Sequence, residues 1–161
     1  MQPQTSTPDF AAAEQLSLPQ KLLGSSLPDR AVFQVLWLVA RLALGGLMIH
    51  NGLDKLADVQ GFADNVVSFI GLPFPVFFTY CAAYVEIVSS VLLVLGLLTR
   101  LNALALFATM GVAIFFHLKA DGLQVPPLET ASLYATLYTL FLVCGAGRWS
   151  LDELIAKTLE S

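Results

Sequence analysis

Four apolar runs, at about 31–53, 75–98, 101–118 and 130–147, take up most of this chain after residue 30. A helix needs about 20 apolar residues to cross a hydrocarbon core of roughly 30 Å, and the runs approach or exceed that length. Lipid offers no partner to backbone N–H and C=O groups, so such runs must be helical. The pattern predicts an all-α fold, an integral membrane four-helix bundle. Composition points the same way: 57% of the residues are hydrophobic, 12% are charged, and the mean hydropathy is +0.74, too apolar for an ordinary soluble domain. The partner this implies is the lipid bilayer. A net charge of -4 without a basic patch argues against nucleic acid.

The connections set the order of the helices. Thr99-Arg100 leaves almost no chain between the second and third runs, which makes them antiparallel neighbours. Between the first and second runs stand Asp54, Lys55, Asp58 and Asp64, while Phe62, Val66, Phe69 and Ile70 recur at helical spacing up to Gly71-Leu-Pro73. That predicts a short amphipathic helix lying on the membrane surface. Lys119 to Glu129 reads as a loop. Residues 1–30, with Pro3, Pro8, Pro19 and Pro28, read as a flexible tail with an interfacial turn around Phe10 to Leu23, and 153–161 as a second tail. The start has neither the basic n-region nor the apolar core of a cleavable signal peptide.

Four spans put both termini on one side of the membrane. Lys21, Arg30, Arg100, Arg148 and Lys157 flank that side, against Lys55 and Lys119 opposite, so the positive-inside rule places both termini in the cytoplasm. Trp149 suits an interfacial belt. Cys81 and Cys144 form no CxxC and lie at depths differing by about 10 Å, which predicts free thiols.

Chemistry is confined to a few polar residues inside the apolar runs. Arg41, Gly45, Met48, Gly52 and Lys55 fall on one face of the first helix. Ala82, Ala83, Glu86, Ser89 and Ser90 share a face of the second. Both faces are small and polar, and small residues let membrane helices approach closely. A charge at mid-membrane costs ~2.5 to 3.5 kcal/mol on insertion scales, so the expected partner of Arg41 is Glu86. That pair either fixes helix register or serves a function. His50, Asn51, Lys55, His117, Lys119 and Glu129 gather near the outer end as a polar mouth. His50 follows Arg41 by nine residues and turns to the opposite face, which leaves His117 as the stronger candidate. Axial haem ligation by the two histidines has no CxxCH to support it. A metal site of His117, Asp121 and Glu129 lacks ligand spacing, and no metal is expected. No nucleophile motif, phosphate loop or nucleotide fingerprint is present.

Taken together, Arg41-Leu-Ala-Leu-Gly45, Asn51-Gly-Leu-Asp-Lys55, Gly71-Leu-Pro73, Glu86 with Leu92 to Gly96, Thr99-Arg100, His117, Glu129 and Gly145-Ala-Gly-Arg-Trp-Ser-Leu-Asp152 resemble the DoxX family of small bacterial membrane proteins. The likeness runs from about Ala31 to Asp152. It implies a relation to the DoxD subunit of thiosulfate:quinone oxidoreductase and a place in the bacterial inner membrane. The position before Gly52, often histidine in that family, is Asn51 here. The leading expectation is a quinone-linked redox subunit, working with a redox partner subunit or a second copy of the chain. Arg41, Glu86 and His117 are its catalytic candidates; Arg41, Asn51, Lys55, Glu86, His117 and Glu129 would bind the quinone or another small ligand. The alternatives are a non-catalytic scaffold or assembly protein and a small-molecule permease. The chain carries no internal repeat of the kind that builds many permeases.

Overall fold

The computed structural model describes residues 22–159, and every regular element among them is helical. Helix α1 is Ala31–Ala57. A short unit follows, made of α2 (Val59–Phe62), a π-turn (Ala63–Val67) and α3 (Ser68–Ile70). Then come α4 (Pro75–Leu95), α5 (Thr99–Asp121), α6 (Val125–Cys144) and α7 (Leu151–Leu159). Helices α1, α4 and α5 are each long and apolar enough to cross a membrane, and the apolar part of α6, Leu128–Cys144, is shorter. The four form the bundle. Its core joins Leu44 and Met48 of α1, Leu93 of α4, Leu106 and Met110 of α5, and Tyr138 and Phe141 of α6.

The polarity of the bundle is inverted. Phe33, Leu36, Val88, Leu104, Phe115 and Leu133 face outward, while Gln34, Arg41, Glu86, Ser90, Asn102 and Asp152 are buried. In water that arrangement would be unstable; in lipid it puts apolar surface against acyl chains and the polar groups inside, where the side chains of all six but Ser90 find hydrogen-bond partners among the described residues.

Several boundaries differ from those read in the sequence. Helix α1 runs past residue 53 to Ala57, which brings Lys55 into the helix. The loop after α5 is only residues 122–124, because α5 continues to Asp121 and α6 begins at Val125 with proline in its first turn, where the missing N–H costs nothing. Helix α4 stops at Leu95, capped by Gly96 in the left-handed region, φ 68°, a conformation that favours glycine. The expected short helix is present as this three-part unit, and it packs on the bundle: Ala63 and Val67 are buried, the Phe69 ring meets Phe116 of α5 edge-on at 5.7 Å, and Lys119 donates to the Phe69 carbonyl at 2.7 Å. Its apolar face turns toward the bundle.

The tails also differ. Residues 1–21, including most of the expected interfacial turn, lie outside the described residues. From Gly24 onward the chain is tied down: the Ser26 N–H donates to Cys144 O at 3.0 Å, and Arg100 donates to Gly24 O and Leu142 O. The segment read as a C-terminal tail is α7. Cys81 and Cys144 are free thiols.

Close packing of α1 on α4 rests on two glycines one heptad apart. A Cβ at Gly45 would lie 2.4 Å from Val94 and 3.1 Å from Ser90 O; one at Gly52 would lie 2.6 Å from Ile87 and 3.0 Å from Ala83 O. Neighbouring Gly46 has nothing within 4 Å. Gly52→Ala should therefore force the helices apart and cost about 1–3 kcal/mol, whereas Gly46→Ala should be neutral or slightly stabilising. Thermal unfolding of the two variants in detergent checks this.

Candidate functional site

The glycine contacts fix an antiparallel register in which Gly52 faces Ala83 and Gly45 faces Ser90. Lys55, one turn past Gly52, turns its long side chain back along α4 to Glu86: Nζ donates to Oε2 at 2.7 Å. Glu86 is 2% exposed and its other carboxylate oxygen makes no hydrogen bond among the described residues. Lys55 Nζ also lies 3.4 Å from Asn51 O and 5.1 Å from the centre of the Phe62 ring.

The expected pairing of Arg41 with Glu86 is thereby corrected. Arg41 faces Gly96, ten residues and about 15 Å along α4 from Glu86. Its guanidinium donates to two carbonyls of the segment after α6, Ala146 O at 2.6 Å and Trp149 O. Around it this end of the bundle, the one next to the chain termini, is closed by further bonds: Trp37 Nε1 donates to Gly145 O, the Arg148 N–H donates to Gln34, and Asp152 accepts from the N–H groups of Leu98 and Thr99 at 2.7 and 2.9 Å. Arg41 and Asp152 hold the Gly145 to Asp152 segment in place. They do not face a cavity.

At the opposite end the bundle is open. A cavity of about 520 Å³ lies between α4, α5, α6 and the short unit, with Lys55 and Glu86 in its wall. Most of the lining is apolar, from Val66, Ile70, Phe78, Val85 and Ala113 among others; Asn51, His117 and Tyr134 add polar edges. The short unit contributes Phe62, Val66, Val67 and Ile70 to it, so three of the four residues of the apolar stripe, all but Phe69, line the cavity. The π-turn sits in that unit, a distortion of the kind that recurs at functional sites.

Of the residues singled out in the sequence, Asn51, Lys55, Glu86 and His117 come together. His117 Nδ1 stands 3.6 Å from Asp121, too far for a hydrogen bond. Glu129 is exposed and outside the cavity wall. His50 is exposed and paired with Asp54 at 3.5 Å on the same helix, away from His117. Among the described residues no three His, Cys, Asp or Glu side chains are placed to hold a metal ion. Tyr134 was missed in the sequence, where a tyrosine one turn from Tyr138 reads as ordinary core; no spacing signal marks it.

The site so built offers a donor beside an acceptor in an apolar slot. An ammonium has three N–H donors, and the two acceptors that Lys55 meets leave one for a ligand oxygen.

The DoxX family model matches residues 36–118, from the second turn of α1 to the last turn of α5 and more than half of the 161-residue chain. The chain belongs to the DoxX family. Inner membrane protein YphA of Escherichia coli is 32% identical over 127 residues, 74% of this chain and 89% of that protein. A membrane protein of Mycobacterium tuberculosis, described as uncharacterized, is 31% identical over 129 residues, 73% of this chain and 79% of its own. An uncharacterized protein of Haemophilus influenzae is 41% identical over 81 residues, 47% of this chain but only 60% of that protein's length. No solved structure matches the chain. The DoxX match includes Arg41, Lys55, Glu86 and His117 and stops before Tyr134, Asp152 and all of α6. Both members of the ion pair thus fall within the family region, and so does the arginine that closes the other end of the bundle.

Proposed function

We propose that this DoxX-family protein is a subunit or accessory of a quinone-linked redox system in the bacterial inner membrane, and that the outer cavity receives the quinone head. The observation that carries this reading is the Lys55–Glu86 pair set in the wall of an apolar slot. A quinone supplies two-electron, two-proton redox chemistry. Its ring suits the apolar lining, and the volume falls in the usual range for small-molecule sites, about 300–1,000 Å³. The free N–H of Lys55 would hold a carbonyl oxygen, and the unpaired oxygen of Glu86 would accept from a hydroxyl at the same place, so that the pair serves both oxidation states. His117, at the cavity edge, stands where a proton could pass between the site and the mouth. In this proposal electrons come from a partner subunit or a small reductant such as thiosulfate.

The basic residues support an orientation with both termini in the cytoplasm and the cavity mouth outside. Arg41, one of the three catalytic candidates in the sequence, has a structural role in this proposal.

The test is calorimetric titration of the purified protein with a short-chain quinone. Binding is expected, and Lys55→Gln and Glu86→Gln should each weaken it about 10- to 100-fold, the worth of one hydrogen bond to a charged group. Absence of binding, or binding by both variants as tight as by the parent, removes the proposal.

A further inference from the structure

A second hollow lies outside the first. It is an apolar groove of about 320 Å³ on the outer surface of the bundle, lined by Ile70, Leu72, Ala108, Gly111, Val112 and Phe115. Ile70, Leu72 and Val112 line the cavity as well, so the two spaces meet at the seam between the short unit and α5. Ala108, Gly111, Val112 and Phe115 are exposed on a helix that crosses the membrane, which makes the groove a lipid-facing one. It extends along α5 from Phe115 back to Ala108, about 10 Å at 1.5 Å per residue, toward the middle of the span. At its floor Gly111 leaves a gap: a Cβ there would meet nothing within 4 Å.

We infer that the ligand of this site is a membrane lipid-like amphiphile, whose hydrocarbon tail lies in the groove along α5 while its head occupies the cavity at Lys55 and Glu86, and that it arrives sideways from the bilayer through the seam between Ile70–Leu72 and Val112. The inference rests on the proposed quinone-head site and adds the chemical class of the ligand and its route. The occupant follows from continuity. A space that is apolar throughout, opens to lipid along its length and shares three wall residues with a polar-ended cavity suits one chain attached to one head. A water-soluble ligand would leave the groove unused.

Moving a tail from lipid into an apolar groove changes little free energy, because acyl chains are as apolar as the groove. The test therefore reads position instead of affinity. Purified protein in lipid nanodiscs is irradiated with a quinone that carries a diazirine on its alkyl tail several carbons from the ring, with and without excess tail-less quinone, and the labelled peptides are mapped by mass spectrometry. Label is expected on residues 108–115 and 70–72, and the competitor should remove it. Gly111→Trp, whose Cβ would stand in open space, puts an indole at the groove and should lower this competable label about tenfold by steric exclusion. Gly46→Trp, on an open face of α1, should leave it unchanged. Competable label on other helices, groove label that the competitor does not remove, or equal label in Gly111→Trp overturns the inference while leaving the head site standing. No competable label anywhere overturns both.

Discussion

Lys55→Met is expected to remove most folded protein from detergent extracts, and adding Glu86→Leu in the same chain is expected to restore it. The single change leaves a carboxyl that is 2% exposed without its 2.7 Å partner, and breaking a buried pair from one side costs about 3–5 kcal/mol. Against a total stability of about 5–15 kcal/mol, that loss is large. The double variant removes both desolvated charges and leaves apolar groups of similar length, a change that is often neutral or stabilising. Thermal unfolding and the monodisperse fraction on size exclusion measure the outcome. The double variant also separates the two readings of the pair. If it folds but no longer binds quinone, the pair serves the ligand; if it folds and the cellular role is intact, the protein is a scaffold and the pair only sets helix register. A stable Lys55→Met would refute the pairing itself.

Asp152→Ala should be the next most damaging change, and its effect should appear at the other end of the bundle. The carboxylate, 1% exposed, accepts from the N–H groups of Leu98 and Thr99. These stand at the start of α5, where the helix itself offers those groups no acceptor. Leaving a buried donor unpaired costs about 1–3 kcal/mol, so two together cost roughly 2–6 kcal/mol. Asp152→Asn keeps one acceptor oxygen and should fall between alanine and the parent. Limited proteolysis gives the local readout: in the alanine variant cleavage within 145–159 should precede cleavage anywhere in the spans. Quinone binding at the far end should fall much less than stability does. An alanine variant that melts at the parent temperature would mean that the two amides find other partners.

How far the sequence disclosed this arrangement depends on which kind of information each feature needs. Helices α1, α4 and α5 were legible because length and apolarity act within one segment. The packing faces were legible too, since Gly45 and Gly52 on α1 and Ala83, Glu86 and Ser90 on α4 follow helical spacing and do meet. The partner of Glu86 was not read correctly, because it depends on how far one helix slides along the other. Matching depth estimated from the ends of the runs put Arg41 there, but α1 is 27 residues long and its end is not where the apolar run fades. A partial signal was available. Gly45 and Gly52 are seven residues apart, as are Ala83 and Ser90; laying these pairs antiparallel sets Ile49 opposite Glu86, six residues from Lys55 and eight from Arg41, so register alone does not choose between the two cations and the direction of the lysine side chain decides. The closure of the other end had no such signal, since Arg41, Gln34 and Trp37 bond to backbone groups, which every residue carries.

The cap on α5 has a consequence for biosynthesis. Leu98 and Thr99 leave the ribosome more than fifty residues ahead of Asp152, so the hairpin of α4 and α5 enters the bilayer with two amides at its turn still bonded to water. Only when the last short helix is made and folds back can they exchange that water for a carboxylate. Arrival of Asp152, with Arg41 waiting to take the carbonyls of Ala146 and Trp149, thus closes this end of the bundle after all four spans are in place. A nascent chain stalled before residue 145 should remain open at both ends.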